Sequence, residues 1–103
     1  METERICFRV ENDLCAGRKN ILACFPDDPA NTGRLCFVSM WHDHYGILRI
    51  GTHDEMDIQY YWNCTSPLKD DKLAELYARI LEDYYKTLVY KPHFRIVKRI
   101  VRR

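Results

Sequence analysis

An α+β fold, with a mostly antiparallel sheet of about five or six strands and one long amphipathic helix, is the architecture this sequence predicts. Three observations predict it. Apolar runs of strand length recur from Thr3 to Trp62, separated by clusters of turn-forming residues. The spacing then becomes helical over about 66–88. Beyond Pro92 the β-branched residues return. With 103 residues, 47% of them hydrophobic and 30% charged, the chain has the composition of one globular domain spanning 1–103.

Taken in order, Thr3 to Val10 alternates with Ile6, Phe8 and Val10 on one face, as a half-buried strand does. Asn20 to Phe25 is a continuous apolar run. Pro26 to Gly33 is dense in Pro, Asp, Asn and Gly and reads as a loop. Arg34 to His42 is apolar on both faces and predicts a central strand. A turn at Asp43-His44-Tyr45-Gly46 leads to Ile47–Ile50. A second turn at Gly51-Thr52 leads to a strand from Met56 to Trp62, where Met56, Ile58, Tyr60 and Trp62 alternate with polar or amphipathic residues. The helix is expected to start with Ser66 as cap and Pro67 in its first position. Leu73, Leu76, Tyr77, Ile80, Leu81, Tyr84 and Leu88 form its apolar stripe, with Leu73, Leu76, Ile80 and Leu81 laid on one face of the sheet. Pro92 ends it. In His93 to Arg103, Ile96, Val97, Ile100 and Val101 also suit a helix, but the β-branched enrichment favours a closing basic strand.

The net charge is +1, yet the charges are unevenly placed: all 15 acidic residues precede Lys86, and the seven charged residues from Lys86 onward are all basic. Lys91, Arg95, Lys98, Arg99, Arg102 and Arg103 are therefore the candidates for contact with nucleic acid. The same residues would also protect an edge strand from aggregation, and a nearly neutral chain lacks the basic excess of a dedicated nucleic-acid binder. The N-terminus has no apolar leader and no stretch is long enough to cross a membrane, so a cytoplasmic protein with no membrane partner is expected. Cys7, Cys15, Cys24, Cys36 and Cys64 are widely spaced, without CxxC, and read as reduced thiols that are mostly buried.

No residue pattern reaches the specificity of a catalytic motif. The four glycines are isolated at turns, so no phosphate-binding loop is present. His42 and His44 in an HxH arrangement, with His53 one hairpin away, form the one ligand-like set for zinc or iron. Thirteen aromatics are many for so small an interior, and aromatics that stay at the surface serve as interface anchors. Trp41, Tyr45, Tyr61 and Trp62 flank turns or oppose the expected core face, and are the candidate partner-binding residues. These features favour a non-enzymatic domain without a cofactor that binds another protein; nucleic-acid binding, or a small metal-binding or hydrolytic domain, are the alternatives.

A scattered pattern also resembles short proteins of bacterial phages and mobile elements. It comprises Ala23-Cys24-Phe25-Pro26, Gly33-Arg34-Leu35-Cys36 and Trp41-His42-Asp43-His44. It continues through Tyr60-Tyr61-Trp62, Thr65-Ser66-Pro67 and Arg95-Ile96-Val97-Lys98-Arg99, and so covers roughly residues 20–100. The chain departs from it at Val89-Tyr90-Lys91-Pro92, where a glycine is expected. The resemblance carries over no catalytic residue. It implies an accessory protein that binds, and inhibits or modulates, a host component such as a defence system.

Overall fold

The computed structural model describes residues 2–15, 17–28 and 31–100. Along the chain lie β1 (Glu2–Glu11), β2 (Ile21–Cys24), β3 (Arg34–His42), β4 (Leu48–Asp57), α1 (Ile58–Cys64), β5 (Thr65–Pro67), α2 (Asp71–Tyr85) and β6 (Pro92–Ile96). The sheet is ordered β4-β3-β2-β1-β5, with β6 also on β1. β1 is its axis. One edge holds β2, from Cys7↔Cys24 to Val10↔Ile21. The other edge holds β5 beside the C-terminal half of β1, and β6 beside the N-terminal half. Only β6 runs parallel to its neighbour; every other ladder is antiparallel, so the α+β class and the mostly antiparallel sheet agree with the sequence reading.

Alternation along the strands gives the sheet two buried faces. Ile6, Phe8, Ala23, Phe25, Val38, Met40 and Phe94 meet Ala74, Tyr77, Ala78 and Leu81 of α2. On the opposite face Cys7, Leu22, Cys24, Leu35 and Met56 gather around Tyr61 of α1. Each large apolar side chain buried in this way contributes about 1.5–3 kcal/mol relative to exposure. Arg9 joins the second face although charged. It is 5% exposed, its Nε donates to Thr65 Oγ1 at 2.9 Å, and its Nη2 donates to the carbonyls of Thr65 and Tyr61 at 2.9 and 3.3 Å.

Five expectations are corrected. The predicted strand over Met56–Trp62 is a strand end followed by α1, because Asp57 stops the ladder and caps the helix, its side chain accepting from Gln59 N at 2.9 Å. Ile58, Tyr61 and Trp62 then recur at helical spacing, inward. The Gly51-Thr52 turn is instead a bulge within the continuous β4: the register passes from Val38↔His53 to Met40↔Ile50, leaving Gly51 and Thr52 opposite Ser39. A side chain at Gly51 would be crowded, since a Cβ would stand 3.3 Å from the Trp41 ring and 3.4 Å from the Ser39 carbonyl.

The single helix over 66–88 is a shorter α2, one of two helices. Ser66 and Pro67 belong to β5, paired with Val10 and Arg9, and Asp70 is the true cap, accepting from Leu73 N at 3.1 Å. α2 is also rotated from the expected face. Ala74 and Ala78 lie against the sheet, where their small side chains allow close approach, and this turns Leu76 outward to 51% exposure. Finally, the closing strand ends at Ile96, with Arg95 the one candidate basic residue on it. Lys91 precedes it, Lys98 and Arg99 follow it, and Arg102 and Arg103 lie outside the described residues.

Candidate functional site

The rotation of α2 leaves an apolar flank. Leu76 and Tyr84 are 51% and 57% exposed, and both lie on the helix side away from Glu82, which faces β6 through Phe94 N and His93. Leu73 and Ile80 of the same flank are half-buried against the core, as are Leu48 and Ile50 of β4. Sequence reasoning placed Leu76 in the core; the available signal was an apolar stripe wider than a helix buries on one small sheet, beside Ala74 and Ala78 at i,i+4.

The four aromatic candidates do not converge. Tyr45 is 81% exposed at the β3–β4 turn. Asp43 builds that turn: its Oδ1 accepts from Tyr45 N and Ile47 N, and its Oδ2 accepts from Arg49 Nε at 2.8 Å. Burial opposes ionisation of this carboxyl, but those donors prevail and hold it below its ordinary range. Trp41 is half-buried over Gly51, with the Arg18 guanidinium 3.8 Å from its ring centroid. Tyr61 is fully buried: Trp62 packs edge-on at 4.8 Å, Arg9 stacks at 4.4 Å, and its hydroxyl accepts from Ile100 N at 3.1 Å. A side chain so enclosed cannot be a contact anchor, which corrects its assignment. Trp62 is half-buried and lines a cleft of about 730 Å³.

That cleft lies between the α1 face of the sheet and the segment after β6. Leu35, Ile58 and Ile100 supply apolar lining, with Arg5 and Arg34 also on its wall. Arg5 donates through Nε and Nη2 to Asp27 at 2.9 and 2.5 Å, and this pairing holds the Asp27 carboxyl below its ordinary range. Arg34 lies 3.6 Å from Glu55 and donates to its carbonyl at 3.2 Å. The loop beneath is fastened by Asn31, which donates to the carbonyls of Phe25 and Pro26 and accepts from Cys36 N.

The three histidines are not brought together. His42 ends β3 and His44 lies in the turn, whereas His53 sits four ladder positions along, ringed by Phe25 and Tyr85 at 5.5 and 5.4 Å. Among the described residues no group of three His, Cys, Asp or Glu side chains has metal-holding geometry. Of the basic candidates, Lys98 pairs with Asp71 at the start of α2, and Arg95 lies opposite Arg5 in the β1–β6 ladder.

Burial pushes up the thiols of Cys7, Cys24 and Cys36, which keeps them protonated at neutral pH and unsuited to attack. Tyr60 donates to Glu11, and this bond raises the phenol well above its ordinary value; Glu11 also accepts from Asn20 Nδ2 at 2.8 Å. This partly buried network fastens α1 to β1. Among the described residues no helix is long and apolar enough to cross a membrane. No family model, curated protein or solved structure matches the chain.

Proposed function

We propose that this chain is a non-enzymatic binding domain that docks a partner protein on the apolar flank of α2. The observation that carries this reading is the stripe Leu73, Leu76, Ile80 and Tyr84, in which Leu76 and Tyr84 are more than half exposed while Leu73 and Ile80 are half-buried against the core. A helix flank of this kind gains free energy only when another surface removes it from water. Among the described residues, burial keeps the thiols of Cys7, Cys24 and Cys36 protonated and no three metal-ligating side chains gather. The resemblance to phage and mobile-element proteins makes a host protein, in a defence system for instance, the most concrete partner.

The test is co-purification from the native host with three proteins: wild type, Leu76→Asp with Tyr84→Ser, and Arg95→Ala with Arg99→Ala. The expected result is one stoichiometric partner retained by the wild type and the arginine variant, and lost from the flank variant at unchanged melting temperature. Retention by the flank variant, or loss from the arginine variant alone, overturns the reading.

A further inference from the structure

We propose that the turn over 87–90, between α2 and β6, contacts an anionic membrane surface, with Leu88 and Val89 entering the acyl boundary and Lys86 and Lys91 at the headgroups. Leu88 and Val89 are each 97% exposed, the highest values among the described large hydrophobics. Single exposed aliphatics are ordinary on a protein surface, but two in succession at the tip of a fastened turn are not. Thr87 N donates to the Tyr90 carbonyl at 2.7 Å, and Tyr90 N donates to Thr87 Oγ1 at 2.8 Å. The Tyr90 hydroxyl donates to Glu4 of β1 at 2.5 Å, so the turn is also tied to the sheet. A set backbone therefore displays the two tips, and ordering them against a partner costs little conformational entropy.

Size and charge select the partner. Two aliphatic side chains expose far less than the roughly 800 Å² that each side of a stable protein interface buries. A lipid surface needs no such area, because it deforms around a convex tip and takes each apolar side chain from water separately. Lys86 and Lys91 flank the tip, both exposed, and among the described residues neither has an ion-pair partner. Of the nearby carboxylates, Glu4 accepts from Tyr90, and Glu82 accepts from Phe94 N and faces His93. Asp83 stays exposed and offsets at most one of the two positive charges. An aliphatic tip between two ammonium groups thus meets both layers of such a surface, acyl chains with the one and anionic headgroups with the other. The contact is peripheral and needs no spanning segment, the only kind of membrane contact that the sequence excludes.

The test is co-sedimentation of the full chain with vesicles of phosphatidylcholine alone and of phosphatidylcholine mixed with phosphatidylglycerol. Binding to the mixed vesicles should exceed binding to the neutral ones by roughly twenty- to thirtyfold, since each lysine near an anionic leaflet contributes about fivefold. It should weaken as added salt shortens the Debye length. Leu88→Ser with Val89→Ser should reduce it roughly tenfold or more at unchanged melting temperature. Lys86→Ala with Lys91→Ala should bring the mixed vesicles down to the neutral level. Leu76→Ser with Tyr84→Ser, a charge-neutral change of the α2 flank, should leave vesicle binding unaltered, so this contact and the protein-docking reading fail separately. No sedimentation with mixed vesicles up to about 1 mM lipid overturns the proposal. Vesicle binding unchanged in the variant with Leu88→Ser and Val89→Ser overturns it equally, whether the lysines then act alone or the turn serves a protein instead.

Discussion

Arg9 places a guanidinium inside the α1 side of the molecule and gives its donors to Thr65 Oγ1 and to the carbonyls of Tyr61 and Thr65. The Tyr61 carbonyl lies in the last turn of α1, where it also accepts from Thr65 Oγ1 at 2.5 Å, and Thr65 is the residue that follows the helix. One side chain therefore fixes a helix terminus to the central strand. Arg9→Ala should destabilise by about 3 kcal/mol, since it removes buried donors from Thr65 and Tyr61 and the stack on Tyr61. Urea unfolding measures this, and a loss below about 1 kcal/mol would contradict the account. A second comparison separates the two sides of α2. Leu81, fully buried, should lose about 2–5 kcal/mol on change to Ala, whereas Leu76→Ala should cost no more than about 0.5 kcal/mol. The sequence pattern makes both leucines equivalent. What distinguishes them is the position of Ala74 and Ala78, whose small size lets the helix settle closer on that side.

At the scale of elements, the strands that contain continuous or alternating apolar runs were legible: β1, β2 and β3 lie close to their expected positions. α1 was not, because Met56, Ile58, Tyr60 and Trp62 alternate as a strand would, while Ile58, Tyr61 and Trp62 equally satisfy helical spacing over so short a stretch. The deciding residue is Asp57, whose carboxylate takes Gln59 N and stops the ladder. Asp57→Ala should cost about 1 kcal/mol in thermal or urea unfolding. Gly51 is a comparable local determinant that reads from sequence as a turn, since nothing local announces the Trp41 ring waiting across the sheet. Gly51→Val should destabilise by about 1–3 kcal/mol through overpacking against that ring. Fold measurements on both variants, with Asn63→Ala on the exposed side of α1 as control, would check these values.

Across the whole molecule, burial raises Tyr61 and Tyr85 to about 12. In the unfolded chain both phenols ionise near 10. The folded state thus holds these protons over a window in which the unfolded state releases them. Stability supplied by the neutral phenols is complete below about pH 10 and falls as pH rises to about 12. The urea midpoint, followed from pH 9 upward, should decline over that interval; a flat profile would mean the phenols are more accessible than the packing indicates. The cleft depends on the same whole-molecule organisation. Arg5, Arg34, Trp62 and Ile100 come from four separate segments, and their convergence follows from strand order, which no local pattern encodes. The α2 flank was nearer to legible, because all its helical residues lie in one stripe.

The parallel ladder between Glu2–Ile6 and Pro92–Ile96 also has a consequence in time. The central strand is early in the chain, but the neighbour of its first half is close to the end. During synthesis that half of β1 must remain without its β6 partner until nearly all the described chain has left the ribosome. Folding therefore cannot proceed simply from one end to the other. The nearby hairpins can form early, but closure of the sheet waits for the most distant pairing, whose loop-closure cost slows the final step and prolongs exposure of an unpaired edge.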